Sequence, residues 1–382
     1  MRIWGIGAAV VMAALALGTG CRCDEGPQSP ADSRASAGPT PDTVVPDAHL
    51  PEPRAALTSA SVYWVGHSLV DATDMRVGGA MNIMNLVGYF ARSRGDEYAM
   101  YPHIKIGAPL AWTYFTRSPE HLAELRSRGE LYDVFVMTEA IPLDAQVQWN
   151  ASHFYARRFF CAIKSANPDA RVFLYETWHH LHASDPEGDY PPPHVWDWRK
   201  RLAADRTTWE SIADAAATGE GVTPPDDYEW SGPGPDPGAD CQMRDAVHIV
   251  PAGQAMAALY DQLDAAGGEP PWNGLDIDAF FYNGYRDWPD DWPLPPERAS
   301  EVKVDQTLSR LSTYDPSEPP DDIHPSALGA YYVGLVHYAT IYRRSPVGLP
   351  AANGVSPEVA EALQELAWQV VRSYPRSGVA AP

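Results

Sequence analysis

Short apolar runs alternate with helical patterns through the central part of the chain. Five runs are rich in Val, Ile, Phe and Tyr and end in glycine or polar residues, which is typical of buried strands; they are "SVYWVG", "YAMYPHIKIG", "YDVFVMTE", "ARVFLYET" and "AVHIVPAG". Three intervening segments repeat apolar residues every three or four positions and predict helices: "GAMNIMNLVGYFARSRG", "ASHFYARRFFCAIKSA" and "PAGQAMAALYDQLDAAG". This alternation predicts an α/β fold, a parallel sheet covered by helices on both faces.

Small or polar residues follow four of the predicted strands. In parallel sheets of this kind, ligands bind beyond the carboxyl ends of the strands. The candidates for a functional site are therefore the residues at those ends: Ser68, Gly107, Thr138 with Glu139, and Trp178 with His179.

The first twenty residues, "MRIWGIGAAVVMAALALGTG", have a basic start, an apolar centre and a small-residue end. This pattern predicts a secretory signal peptide, because the apolar stretch is too short for a stable membrane span. It stops at Cys21, and "LGTGC" resembles the lipobox of bacterial lipoproteins, with its leucine one position early at Leu17. We therefore expect an exported cell-envelope lipoprotein held by a lipid on Cys21. Plain secretion is the alternative.

Two kinds of proline-rich sequence flank or interrupt the apolar pattern. Residues 21–58 contain seven prolines and no apolar period, which predicts a linker able to reach on the order of 100 Å. A single domain is expected over residues 59–382. Within it, residues 183–245 and 268–320 are rich in proline and tryptophan. They are predicted to be large insertions without long regular elements that cover or extend a cleft.

The formal net charge of −22 argues against nucleic-acid binding, which needs clustered Lys and Arg. It also disfavours attraction to anionic lipid, so attachment to a membrane would depend on the lipid at Cys21.

Of the four cysteines, Cys161 and Cys241 are the natural disulfide pair in an exported protein whose Cys21 carries lipid. Two buried free thiols are the alternative. The spacing of Cys and His matches no zinc site, and no metal or cofactor is predicted.

Near the end of the chain, "DDIHPSALG" places Asp321 three residues before His324, and Pro325 is suited to the first turn of a helix. A serine hydroxyl is a weak nucleophile until an imidazole takes its proton and a carboxylate orients the imidazole. Ser68, His324 and Asp321 supply these three groups. The alternative is that Ser68 is a turn residue that ends a strand, and that the spacing of Asp321 and His324 arose by chance.

"VGHSL" at residues 65–69 and "DDIHPSALG" at residues 321–329 resemble the first and last conserved blocks of the SGNH (GDSL-like) hydrolases. That superfamily consists of esterases and deacetylases with a flavodoxin-like, three-layer α/β/α fold. The resemblance implies that Ser68 is the nucleophile, that His324 is the general base and then acid, and that Asp321 orients His324. It also implies an oxyanion hole lined by the backbone N–H groups of Ser68 and Gly107.

The chain departs from the family pattern at two places. His67 replaces the usual acid of the first block, and we expect it to hydrogen-bond loop backbone, although it is also a candidate substrate contact. The third block, Gly-x-Asn-Asp, is absent, and Met137, Thr138 and Glu139 stand there. Thr138, or Glu139 if protonated, is the candidate replacement for the asparagine that donates to the oxyanion. Losing one such donor typically lowers turnover by about 10²–10³.

The function predicted from these residues is that of a serine ester hydrolase removing acetyl or other short acyl groups from carbohydrate or a small molecule. Trp178 and His179, with tryptophans of the predicted insertions, are candidate sugar-stacking platforms, although packing between loops is the alternative; the tryptophans are Trp196, Trp198, Trp288 and Trp292. Two other functions stay open: an O-acyltransferase using the same residues, and a non-catalytic surface lipoprotein that binds polysaccharide or a protein partner.

Overall fold

A parallel sheet of five strands forms the centre of the computed structural model. The strands are β1 (Ser59–Gly66), β2 (Glu97–Ile104), β3 (Val134–Met137), β4 (Arg171–Tyr175) and β5 (Val247–Val250). They lie in the order β2-β1-β3-β4-β5, and every neighbouring pair is parallel. The structure describes residues 55–71, 80–116, 119–181, 195–226, 228–230, 235–239, 241–281, 285–287, 303–304 and 323–379.

Helices connect and cover the strands. They are α1 (Ile83–Ser93), α2 (Pro119–Arg128), α3 (Leu143–Trp149), α4 (Ser152–Ala166), α5 (Val195–Thr218), α6 (Ala252–Ala266), α7 (Ala327–Tyr342) and α8 (Pro357–Ser373). Two short strands, β6 (Tyr285–Asp287) and β7 (Lys303–Val304), pair antiparallel apart from the central sheet. In the described part of the chain, no helix combines the length and the apolar character needed to cross a membrane.

Successive residues of β1, β3, β4 and β5 point into two different hydrophobic cores, whereas the edge strand β2 has a single buried residue, His103, and is not the buried strand that its sequence predicted. Val62 and Trp64 of β1 face the core that α1, α6, α7 and α8 complete. Tyr63 and Val65 face the opposite core, which α2, α4 and most of α5 complete. Because side chains alternate across a strand, a sheet buried on both faces requires the continuous apolar runs seen in the sequence. The predicted fold class, a three-layer α/β/α architecture with a flavodoxin-like strand order, is confirmed.

The prediction that residues 183–245 lack a long regular element is wrong. Helix α5 spans Val195–Thr218, 24 residues, within that segment. Neither proline nor glycine occurs between residues 195 and 218, so nothing in that stretch opposes a helix. The prolines that misled the prediction stop at Pro193, just before the helix begins. Helix α5 packs against α4 and α6 as part of the crossover from β4 to β5.

The second predicted insertion, 268–320, contributes in part to the core. Trp272, Ile277, Phe280 and Phe281 are buried against the α1 and α7 side of the sheet. Of the remainder, residues 282–284, 288–302 and 305–320 lie outside the described residues, as do the predicted signal peptide, Cys21 and the linker up to residue 54. The described residues belong to one compact unit, Asp47–Pro382.

A disulfide joins Cys161 of α4 to Cys241, which lies in the segment leading to β5. The two Cα atoms are 5.5 Å apart, and 80 positions separate the residues in sequence. Closing a loop of this length restricts the unfolded chain and stabilises the folded one, typically by about 2–4 kcal/mol. The bond therefore ties α4 to the segment that leads to β5.

Candidate active site

Ser68 and His324 meet at the carboxyl edge of the sheet. The Nε2 atom of His324 lies 2.6 Å from the Oγ atom of Ser68, although 256 positions separate the two residues. Ser68 is the second residue after β1 and begins a helical turn over residues 68–71. Neighbouring side chains pack closely around Gly66: a Cβ atom there would stand 2.8 Å from Val70 Cγ2 and 3.0 Å from Thr138 Cγ2. Only glycine allows this close approach.

Hydrogen bonds on both sides hold the loop that carries His324. The indole Nε1 of Trp178 donates to the carbonyl oxygen of Ile323 at 2.7 Å. On the other side, the Ser326 N–H donates to the Phe280 carbonyl at 3.0 Å. The Ser326 hydroxyl also caps α7, accepting from the Gly329 N–H at 3.1 Å. The imidazole is thus fixed from the loop before it and from the helix after it.

Asp321, the predicted orienting carboxylate, lies outside the described residues, which resume at Ile323. Of the predicted triad, the structure describes the serine and the histidine. For Ser68 Oγ to donate to His324 Nε2, the imidazole carries its proton on Nδ1, the nitrogen a carboxylate would hold.

Trp178 and Trp198 do not form sugar-stacking platforms, which corrects that prediction. Both side chains are buried, with exposed fractions of 0 % and 1 %, so no ring face is open to a ligand. His179 points toward α5, where its Nε2 lies 2.5 Å from Asp205 Oδ2. The alternative interpretation, packing between segments, therefore holds for Trp178 and Trp198. The ring of Trp196 and residues Trp288 and Trp292 lie outside the described part.

His67 hydrogen-bonds loop backbone, as predicted. Its Nε2 donates to the Glu139 carbonyl at 3.0 Å, and its Nδ1 faces the Leu69 N–H at 3.4 Å. Burial lowers the pKa of His67 to about 4, with His324 nearby adding to the effect. The neutral ring thus joins the loop after β1 to the loop after β3, forming part of the cavity wall beside Ser68.

Two backbone N–H groups are available for a developing oxyanion. Gly107, in the loop after β2, has φ of +66°, and a Cβ there would meet no atom within 4 Å. Glycine is favoured at this position by its positive φ, and it leaves open space toward the cavity. Within the described residues, the N–H groups of Ser68 and Gly107 donate to no protein acceptor. Both residues line the same cavity.

Neither Thr138 nor Glu139 is placed to donate to an oxyanion, which corrects the prediction for the third donor. The hydroxyl of Thr138 is buried and donates to the Tyr175 carbonyl at 2.8 Å, so its single hydrogen is already used. Glu139 Oε1 is an acceptor: it receives the N–H groups of Leu110 at 2.9 Å and Ala140 at 2.7 Å. The whole side chain is buried and does not line the cavity beside Ser68, so neither carboxyl oxygen is directed at a ligand there. Glu139 instead braces the loop that follows Gly107.

Burial raises the pKa of Glu139 from 4.5 to about 7, although its two backbone hydrogen bonds act in the opposite direction. The folded protein therefore keeps a proton on this carboxyl over a range in which the unfolded chain has lost it. The resulting stabilisation is full below about pH 4.5 and is lost as the pH rises through about 7, at about 1.4 kcal/mol per pH unit.

We expect Glu139→Gln to flatten this dependence, because the amide oxygen still accepts both N–H groups but does not titrate. The free energy of unfolding, measured by urea denaturation between pH 5 and 7, should fall with pH more steeply in the wild type than in the variant. Comparing the two proteins removes the opposite contribution of His67, which both share. The exposed Glu130→Gln is the control and should follow the wild type. Parallel curves for wild type and Glu139→Gln would contradict the expectation.

A cavity of about 380 Å³ opens beside Ser68 and His324. Its described lining contains no Asp, Glu, Lys or Arg; it consists of His67, Ser68, Leu69, Gly107, Pro109, Trp112, Ala140, Ile141, Gln146, Asn150, His180, Ile323 and His324. Trp112, Gln146 and Asn150 were not predicted from the sequence. They lie outside the recognised blocks, and no local pattern marks them.

Among the described residues, no group of three or more His, Cys, Asp and Glu side chains is arranged to hold a metal ion.

No protein-family model matches this chain, and no curated protein matches it. Among solved structures, a DUF4886 family protein from Bacteroides uniformis is similar over 83 % of this chain and 96 % of its own, at 13 % identity and a TM-score of 0.43. A protein named as a candidate SGNH hydrolase from Slackia heliotrinireducens is similar over 73 % and 97 %, at 14 % identity and a TM-score of 0.36. A candidate GDSL-like lipase from Parabacteroides merdae is similar over 77 % and 99 %, at 10 % identity and a TM-score of 0.33. Because these identities and TM-scores are low, the assignment of the fold rests on the strand order and the two hydrophobic cores of this chain.

Proposed function

We propose that this protein is a serine ester hydrolase that removes acetyl or other short acyl groups from an uncharged, carbohydrate-like substrate. The observation that carries the proposal is the 2.6 Å contact between Ser68 Oγ and His324 Nε2 in an open cavity. A buried serine–histidine pair occurs for structural reasons too. Here, however, the hydroxyl faces a cavity at the sheet's carboxyl edge, with two backbone donors beside it.

In the acylation step, Ser68 Oγ attacks the carbonyl carbon of the ester while His324 Nε2 takes the hydroxyl proton. The electron pair of the carbonyl bond moves onto its oxygen, which becomes an oxyanion facing the Ser68 and Gly107 N–H groups. When this intermediate collapses, the bond to the alcohol breaks, and His324 returns its proton to the departing alkoxide. An acyl group then remains on Ser68.

Water completes the reaction by the same route. His324 Nε2 takes a proton from the water molecule as its oxygen attacks the acyl carbonyl carbon. Collapse of the second oxyanion breaks the bond to Ser68 Oγ, which recovers its proton from His324. The products are the free alcohol, a carboxylic acid and the unchanged enzyme. An alcohol in place of water would make the same residues transfer the acyl group.

The lining and rim of the cavity support an uncharged, hydroxyl-bearing substrate. A described lining without Lys or Arg offers no partner for a phosphate, sulfate or carboxylate. Exposed tryptophans near the cavity provide flat apolar faces: Trp112 lines it and is 41 % exposed, and Trp149, next to the lining residue Asn150, is 76 % exposed. A sugar ring, apolar on its faces and polar at its edge, fits such a surface.

We expect Trp112→Ala to raise KM for an acetylated oligosaccharide about 3- to 10-fold, the loss of one aromatic contact. The variant's kcat/KM for p-nitrophenyl acetate should change much less, because that substrate has no sugar ring to stack on Trp112. Leu131→Ala, an exposed apolar residue at the opposite edge of the sheet, is the control. Equal losses on both substrates would contradict a role in sugar binding.

We also propose that the protein works in the cell envelope, attached through lipid on Cys21. The segment before Cys21 supports export, and the Cys161–Cys241 disulfide suits an oxidising compartment. Metabolic labelling with an alkyne fatty acid should mark the wild type. A Cys21→Ala variant that retains the label would refute the assignment of Cys21.

Labelling with a fluorophosphonate probe tests the hydrolase proposal directly. The probe reacts with an activated serine, so the full chain should be modified at one site, which peptide mapping identifies as Ser68. Failure of the folded protein to label and to release acetate from acetylated sugars would favour a binding protein instead. Acetate transfer to an added sugar in excess of hydrolysis would favour an acyltransferase.

A further inference from the structure

We infer that Gln146 is a catalytic residue: its side-chain amide donates the third hydrogen bond to the oxyanion, and Asn150 holds that amide in position. The inference rests on the proposed ester hydrolysis at Ser68. It assigns the missing donor to helix α3 rather than to the end of β3.

Thr138 and Glu139, at the end of β3, are not available as the third donor. Thr138 gives its hydrogen to the Tyr175 carbonyl. Glu139 is fully buried, accepts two backbone N–H groups through Oε1 and does not line the cavity. In the described wall of the Ser68 cavity, the side-chain amides belong to Gln146 and Asn150. Amides are neutral donors that do not titrate, so they act on an oxyanion at any working pH.

Asn150 orients the side-chain amide of Gln146. Gln146 and Asn150 are four positions apart, so they lie on one side of α3 and its C-terminal end. The Nδ2 atom of Asn150 donates to Gln146 Oε1 at 2.6 Å. This bond turns the oxygen of Gln146 toward Asn150 and leaves the Nε2 hydrogens directed elsewhere. Among the described residues, those hydrogens have no acceptor. The residue is 9 % exposed and lines the cavity, so the substrate is the partner available to it.

Helix α3 is attached to the core and to a neighbouring helix. Leu143 at the start of α3 is fully buried, which fixes the helix against the core around α4. Asp144 of α3 forms an ion pair with Arg201 of α5 at 3.1 Å. A donor contributes to catalysis when it is held in place before the charge develops. Helix α3 thus supplies a donor that is already in place.

The test replaces the donor with a side chain of similar length. For Gln146→Met in the full-length protein, we expect kcat for p-nitrophenyl acetate to fall about 10²- to 10³-fold, with KM changed less than about threefold. Affinity for a short alkylboronic acid, whose adduct with Ser68 is tetrahedral, should fall by a similar factor. Gln146→Glu should lose at least as much activity, because it places an acceptor where a donor is needed. Gln148→Met, an exposed position of the same helix, is the matched control.

Variants of Asn150 test the positioning role. Asn150→Ala leaves the Gln146 amide unrestrained, so we expect a smaller loss of kcat than in Gln146→Met. Asn150→Asp offers only acceptors, which would draw the Gln146 N–H groups away from the cavity. Its kcat should therefore fall below that of Asn150→Ala.

Three outcomes would overturn the inference. A raised KM with unchanged kcat in Gln146→Met would show that the amide binds the leaving group. Unchanged kinetics in Gln146→Met would show that the amide contacts neither the oxyanion nor the leaving group. Equal effects of Gln146→Met and Gln148→Met would point to a general effect on the helix. These results differ from failure of the proposed function itself, in which the wild type would neither turn over esters nor react with the fluorophosphonate probe. Circular dichroism and the Tm of each variant establish that it is folded.

Discussion

Replacing Ser68 with alanine is expected to lower kcat for ester hydrolysis by about 10⁴- to 10⁶-fold, the largest effect of any single substitution proposed for this protein. The variant loses the oxygen that forms the acyl-enzyme, while the N–H groups of residues 68 and 107 stay in place. Binding of substrate should persist, because the cavity wall is otherwise unchanged. The measurement is steady-state release of p-nitrophenol and of acetate from an acetylated sugar.

Ser127→Ala is the control for this experiment, because Ser127 is an exposed serine of α2 whose hydroxyl only donates to the Glu124 carbonyl. It should retain full activity and full fluorophosphonate labelling. If Ser68→Ala hydrolyses the ester as fast as the wild type, the hydrolysis comes from another site or a contaminant. The serine mechanism would then be excluded.

Replacing His324 with alanine is expected to lower kcat by about 10³- to 10⁶-fold, because the hydroxyl of Ser68 then has no base within 2.6 Å. Removing the ring leaves a gap next to Ser68 Oγ. Added imidazole should enter this gap and restore part of the rate, with a dependence on imidazole concentration that saturates. Fluorophosphonate labelling should slow by a comparable factor, since it needs the same activated oxygen.

His153→Ala is the matched control, because the His153 ring contacts the Ser211 hydroxyl between α4 and α5 and lies away from the cavity. It should change kcat little and should not respond to imidazole. A His324→Ala variant that keeps wild-type kcat would show that the serine–histidine contact is structural. That result would leave the fold unchanged and remove the mechanism.

Local patterns predicted most of the secondary structure. Each of the five apolar runs overlaps one strand of the central sheet. The error at α5 has a local cause as well. Proline clusters on either side of residues 195–218 were extended across a stretch that contains neither proline nor glycine. Average composition over a long window concealed the helix.

The sequence predicted those residues of the candidate site whose role follows from their own side chain or from the sequence around them. Ser68 and His324 lie in recognisable sequence blocks, and Gly107 lies at the end of a predicted strand. The structure brings all three to one cavity; their catalytic roles stay predictions. Thr138 was selected by its position after β3, but the tertiary fold directs its hydroxyl to the Tyr175 carbonyl. Trp178 was selected as an aromatic residue at a strand end, yet it is buried and holds the loop of His324.

The sequence by itself determined the alternation of strands and helices and the identity of the serine and histidine, because periodicity and side-chain chemistry are local properties. Only the tertiary structure decided which polar groups remain available to a ligand. A hydroxyl, amide or indole can contact a ligand only if no group from a distant segment of the chain already occupies it. Trp178, Thr138 and Gln146 could not be assigned before those partners were known.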